Sequence, residues 1–142
     1  MFKTGNIKWR IRAVFAFAFC VFLVIIVVVA RSGETEGEPT VRFVTSSEAN
    51  NKINEHQDAF ILDVRSSHEF FASRIPGSVN NPYAMIDDNQ DLLPSGRQTL
   101  IFVYCRTGRR AGIAANRLLE LGYTNIIVFP GMITWVYETV SG

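Results

Sequence analysis

Leu100–Gly112, LIFVYCRTGRRAG, is an apolar run that halts at one cysteine, passes through a loop with three arginines, and continues into helical spacing. Leu100–Tyr104 is short and apolar throughout, the pattern of a strand buried on both faces. Downstream, Ala111, Ala114, Ala115, Leu118 and Leu121 recur at i, i+3, i+4 and i+7, so an amphipathic helix lays that stripe on the sheet. Gly122 is the expected left-handed stop, with Tyr123 covering the helix end. Cys105 therefore falls at the carboxyl end of a strand and the positive end of the next helix. Helix dipole and arginines together favour an ionised sulfur there. Gly108 lets the loop curl so that successive N–H groups turn inward as a nest for an anion.

Working outward, short apolar runs alternate with helical patterns. Val41–Val44 reads as a strand, Ser46 or Ser47 caps a helix through about Glu55, and Ala59–Leu62 is a buried strand ending at Asp63. Ser66 and Glu69 have capping-box spacing and open a short helix. Ile75-Pro76-Gly77 turns into a brief strand, Ser78–Asn80. Tyr83–Asp88 is read as a helical turn and Asp91–Gln98 as a loop. Ile126–Phe129 is the last strand, and Pro130-Gly131 leads into a short terminal helix bearing Trp135. The alternation specifies an α/β fold: a central, mostly parallel sheet with helices on both faces. Sites in such sheets collect at the carboxyl ends of the strands, where Asp63 and Cys105 both fall.

The chain divides into a basic segment (1–12), an apolar segment (13–30), a polar, acidic linker (31–40) and the α/β domain (41–142). Ala13–Ala30 contains no charge and as a helix spans roughly 27 Å, matching one transmembrane crossing. Lys3, Lys8, Arg10 and Arg12 precede it and Glu34, Glu36 and Glu38 follow, which predicts a cytoplasmic N-terminus and a domain on the far, periplasmic side. Its length favours an uncleaved single-pass anchor, while Val28-Val29-Ala30 leaves a cleaved, exported form as the alternative. Cys20 lies inside the apolar run, leaving Cys105 without a disulfide partner in the domain, as expected of a working thiol. The net charge of +1 singles out no partner. Arg106, Arg109 and Arg110 concentrate positive charge at the cysteine alone, which argues against a nucleic-acid face.

Four segments, LDVRSSHEF (Leu62–Phe70), IPGSVNNP (Ile75–Pro82), VYCRTGRRAGIAANRLLELGY (Val103–Tyr123) and PGMITW (Pro130–Trp135), together resemble the single-domain rhodaneses. The likeness is to sulfurtransferases of the kind exported by bacteria, including the phage-shock type. It implies an active loop from Cys105 to Arg110, with Cys105 carrying a persulfide between half-reactions. Arg106, Thr107, Gly108, Arg109 and Arg110 then bind the substrate. Thiosulfate or a similar anion donates sulfur, and cyanide, a thiol or a protein cysteine accepts it; no metal or organic cofactor is implied. Two residues depart from the usual pattern: Pro130 stands where the first of two glycines is common, and Arg110 stands where a small residue is frequent. Asp63, Arg65 and Glu69 are expected to support the site structurally, the carboxylate capping loop amides and Arg65 pairing with Glu69. His56 and His68 are expected to be exposed, and Asp87, Asp88 and Asp91 to form a solvated loop.

Two rivals stand beside sulfur transfer. A membrane-tethered, non-enzymatic sulfur carrier or redox adaptor would keep the same thiol and have a protein as its partner. A cysteine phosphatase or arsenate reductase would need a loop that wraps a tetrahedral oxyanion. With four residues between Cys105 and Arg110, this loop is one short for that task and better matched to a single sulfur.

Overall fold

The computed structural model describes residues 39–142. The basic segment, the Ala13–Ala30 run and the linker up to residue 38 lie outside the described residues, and with them the expected anchor. Among the described residues no helix is long and apolar enough to cross a membrane.

Five strands, β1 (Thr40–Phe43), β2 (Phe60–Asp63), β3 (Val79–Asn80), β4 (Ile101–Tyr104) and β5 (Asn125–Phe129), form one sheet in the order β1-β5-β4-β2-β3. Every ladder between them is parallel. The register aligns Asp63 with Tyr104 and Tyr104 with Phe129, so three neighbouring strands end level. Cys105 is the first residue beyond that line.

Alternation along the buried strands sorts the core into two halves. Leu62, Ile101, Val103, Ile126 and Val128 face helix α3 (Arg109–Glu120), meeting its buried stripe Ala111, Ala114, Ala115 and Leu118. Their neighbours Ile61, Phe102, Tyr104, Ile127 and Phe129 face the other way, toward Ala49 and Ile53 of α1 (Ser46–Glu55). Both faces are covered, as the uniformly apolar strands require. α3 ends as its sequence predicts: Gly122 is left-handed at φ +89°, and the N–H groups of Gly122 and Tyr123 return to the Leu119 and Leu118 carbonyls.

Three local expectations change. The cap of α1 is Thr45, not Ser46 or Ser47, because Thr45 and Glu48 have the spacing that lets each side chain bond the other's backbone N–H. Ser46 is instead buried, its hydroxyl 2.6 Å from that of Thr134. The short helix α2 (Ser67–Ala72) opens on the expected Ser66–Glu69 box. The segment read as a loop from Asp91 begins inside a 3₁₀ turn, Gln90–Leu92.

No terminal helix follows Pro130-Gly131. Only one turn forms, closed by Thr134 N–H on the Gly131 carbonyl. The Met132 and Ile133 amides bond the carbonyls of Cys105 (3.1 Å) and Arg106 (3.0 Å) instead. Val140 then bridges back to Arg74.

Tyr104 ties the α1-facing half of the core to the site. Its ring stacks on Phe129, with centroids 5.5 Å apart, and the Arg65 guanidinium lies 5.6 Å from its centre. Its hydroxyl accepts the Ile75 N–H at 3.1 Å and pairs with the Ser78 hydroxyl at 3.1 Å. Burial, then the nearby charge of Asp63, holds this phenol well above its ordinary titration range, so it stays neutral. Tyr104→Phe strands a buried N–H and should cost about 1–3 kcal/mol. Thermal denaturation should show a midpoint lower by roughly 5 °C or more; an unchanged midpoint would mean that the hydroxyl is not holding the Ile75 turn.

Candidate active site

Cys105 is 1% exposed, and its Sγ accepts the Gly108 N–H at 3.1 Å. The loop around it is oriented by its own carbonyls. In a trans peptide the N–H points opposite the preceding C=O. With the Cys105 and Arg106 carbonyls held outward by Met132 and Ile133, the Arg106 and Thr107 N–H groups are turned away from that clamp. Gly108 closes the curl at φ +94°, a left-handed conformation that ordinary side chains rarely adopt, and caps α3. The first amides of α3 have no intrahelical acceptor, so the positive helix end is presented at this loop.

Gly131 is the steric keystone, and its role was not evident from composition or spacing. At φ +77°, a Cβ added there would lie 2.4 Å from the Cys105 carbonyl oxygen and 2.7 Å from Tyr104 Cδ2. The Pro130 departure is accommodated, with its Cα 3.7 Å from where a Gly108 Cβ would stand. The second residue of that dipeptide has no such latitude.

The charged residues pair differently from the sequence expectation. Arg65 binds Asp63, not Glu69: Nε donates to both carboxylate oxygens at 2.9 Å, one terminal nitrogen to Oδ2 at 2.5 Å, and the backbone N–H to Oδ1 at 3.0 Å. The two residues are only two apart, and the bend after β2 folds the guanidinium back on its own strand end. Arg65 also donates to the Ser73 carbonyl at 2.6 Å. Burial opposes its charge, but the hydrogen bonds and charge of Asp63 prevail and raise its pKa.

Glu69 instead takes Arg110 as a bidentate partner, at 2.7 and 2.8 Å. That interaction, with Ser66 assisting against partial burial, lowers the Glu69 pKa from 4.5 to about 2. Arg110 is raised in turn, first by Glu69 and further by the Cys105 sulfur. Arg110 is thus fixed by the α2 carboxylate, with its charge felt at the sulfur.

The remaining expected residues lie on the surface around the loop. Arg106, Thr107 and Arg109 are exposed, and neither Arg106 nor Arg109 forms an ion pair among the described residues. His56, at the end of α1, and His68 are exposed as expected. Asp87 is exposed too but pairs with Arg117 at 2.5 Å.

His68, however, lines a 390 Å³ cleft beside the loop, together with Arg65, Glu69, Ala72, Ser73, Arg106, Met132 and Ile133. Met132 and Ile133 went unassigned in the sequence because PGMITW reads equally as a helix start, which would point them elsewhere.

The rhodanese-like domain family matches residues 45–138. Among curated proteins, the thiosulfate:glutathione sulfurtransferase of Saccharomyces cerevisiae is 33% identical over 98 residues, covering 59% of this chain and 70% of that protein. A Bacillus subtilis protein, YrkF, named as a candidate sulfur carrier, is 32% identical over 89 residues and covers 62% of this chain. The chain spans 47% of YrkF and 22% of the adenylyltransferase and sulfurtransferase UBA4 of Meyerozyma guilliermondii, under half the length of either relative. The crystal structure of a rhodanese-related protein from Thermoplasma volcanium is 25% identical, with a TM-score of 0.60, covering 71% of this chain and 99% of that one.

Two outcomes test this geometry. Gly131→Ala adds a clash to an unfavourable φ and should cost at least about 2 kcal/mol. Gly122→Ala, at φ +89° with nothing within 4 Å, should cost nearer about 1 kcal/mol. Equal denaturation midpoints for the two would refute the steric argument. Because the Glu69 pKa is depressed in the folded state, the stability from its pair is full above the ordinary value of 4.5 and drains as pH falls toward about 2. Glu69→Gln should therefore be less stable than the parent near neutrality, by on the order of 1 kcal/mol after solvent screening, with the gap closing in acid. A gap that persists undiminished at about pH 2 contradicts the assignment.

Proposed function

The chain belongs to the rhodanese-like domain family, and on that premise we propose that it moves sulfane sulfur from a thiosulfate-like donor to a thiophilic acceptor through a persulfide on Cys105. The observation that supports this reading most is the loop itself: a cysteine sulfur accepting the Gly108 N–H at 3.1 Å, with the neighbouring carbonyls clamped outward. Such a ring is suited to one extra atom carrying negative charge.

The Cys105 thiolate attacks the outer sulfur of thiosulfate. A new S–S bond forms, the S–S bond of the donor breaks, and its electron pair leaves with sulfite. The loop amides, the α3 N-terminus and Arg110 then face the persulfide anion, stabilising charge where it accumulates. Cyanide or a thiolate attacks the outer sulfur in the second half-reaction, departing as thiocyanate or a hydropersulfide and returning Cys105 as thiolate. Splitting the transfer this way predicts ping-pong kinetics. The burial of Cys105 selects reagents whose leading atom is small, as the terminal sulfur of thiosulfate is. The basic residues ahead of the Ala13–Ala30 run support a further part of the proposal, that the transfer takes place outside the cytoplasm at a membrane.

Mass spectrometry after thiosulfate treatment should find a gain of about 32 Da on Cys105, as a covalent sulfur intermediate demands. Cys105→Ser should lose both the adduct and sulfite release. Sulfite release that continues in Cys105→Ser would overturn the reading. Adduct formation without onward transfer to cyanide or thiols would favour the carrier role over the enzyme.

A further inference from the structure

Beyond the 131–134 turn the chain packs Trp135 onto the α1-facing half of the core. Trp135, Tyr137 and Glu138 there line a second cavity, of 350 Å³, which shares no residue with the cleft beside Cys105. We propose that this cavity is a binding site for small organic cations of the quaternary-ammonium class, such as choline. Its volume lies in the range of sites for small organic molecules.

The aromatic surface is the first argument. The planes of Trp135 and Tyr137 are inclined at 72°, with ring centroids 5.1 Å apart. An aromatic face attracts a cation through its quadrupole. A flat ligand stacks on only one of two steeply inclined rings, whereas a rounded alkylammonium can touch both. Phe129 supports the indole from the core, at 5.7 Å between centroids. The indole N–H is already spent on the Glu138 carbonyl at 3.1 Å, so Trp135 offers a ligand ring surface and no donor.

Charge is the second argument. Glu138 is the charged side chain on the lining, and it forms no ion pair among the described residues. The uncompensated charge of this cavity is therefore negative, opposite in sign to that of Arg106 at the active loop.

The third argument is the cost of removing water. Ile53, Ile75 and Pro76 supply apolar wall, so a bound cation must give up its hydration cheaply. A primary ammonium is strongly hydrated and needs acceptors for three N–H groups. A quaternary ammonium has none to satisfy and presents methyl groups to these side chains. Asn50 and Asn54, one turn apart on α1, add amides that can bond a hydroxyl on the same ligand. A phosphate joined to the cation, as in a lipid headgroup, would set its charge against Glu138, which selects the free cation.

Calorimetric titration of the full-length chain with choline should show saturable binding, with a Kd on the order of 1 mM. The uncharged analogue, with carbon in place of the nitrogen, should bind at least about tenfold more weakly. Phosphocholine should also bind more weakly than choline. Tyr137→Leu and Glu138→Gln should each weaken choline binding roughly threefold to fivefold, the scale of a partly exposed cation–π contact or ion pair. Both side chains are exposed, so the variants should keep a denaturation midpoint near the parental one. Binding is read without sulfur transfer and stands or falls apart from the chemistry at Cys105. No saturable choline binding, equal affinity for the uncharged analogue, tighter binding of phosphocholine, or parental affinity in both variants would each overturn the assignment.

Discussion

Two hydrogen bonds, from the Met132 and Ile133 amides to the Cys105 and Arg106 carbonyls, decide which way the loop's peptide planes face. With those oxygens facing inward, the sulfur would meet lone pairs and repel any anion. Pulled outward, they leave N–H groups and the N-terminus of α3 to face it. The clamp needs the 131–134 turn to lie against the loop, and that approach is permitted only by the missing side chain of Gly131. A steric condition twenty-six residues downstream of Cys105 thus sets the electrostatics around its sulfur.

The arginines become intelligible once their partners are counted. Asp63 holds Arg65 in a buried pair that also reaches the Ser73 carbonyl, joining the end of β2 to the end of α2. Glu69 holds Arg110 by two hydrogen bonds. Each carboxylate removes one cation from contention and fixes its geometry. Arg106 and Arg109 keep their charge for whatever approaches from solvent. A run such as CRTGRR therefore divides three like residues between one fixed ion pair and two free surface charges, which no count of charge could separate.

Much of the architecture was legible because it rests on local rules. The apolar run before Cys105, the i, i+3, i+4 stripe of α3, the Gly122 cap and the Ser66–Glu69 box each follow from neighbours a turn apart, and each appears where the pattern places it. What failed to read was what depends on distant partners. Arg65 and Glu69 share a motif and opposite charge, yet the bend after β2 gives Asp63 to Arg65 and leaves Glu69 for Arg110, forty-one positions away. The Pro130–Trp135 segment has helix-compatible composition, but the Met132 and Ile133 amides bond the Cys105 and Arg106 carbonyls in place of an i, i+4 ladder. Met132 and Ile133 line the cleft beside His68 from that turn and not from a helix.

The same constraint bears on the choice between sulfur and phosphoryl chemistry. A phosphoryl acceptor loop must surround three equatorial oxygens, which demands a wide ring of donors and an arginine free to reach two of them. Here the ring is narrowed from both sides. Gly108 brings its N–H to 3.1 Å from Sγ, and Glu69 holds the Arg110 guanidinium by two hydrogen bonds. Cys105 retains 1% of its surface, so little beyond a single atom fits over the sulfur while the loop keeps this form. The larger cleft lies to one side, lined by Arg106 and Ile133 and not by the thiol. A narrow seat for one atom beside a wider berth for its carrier suits a reaction in which a sulfur atom is handed over and the molecule bringing or taking it stays outside.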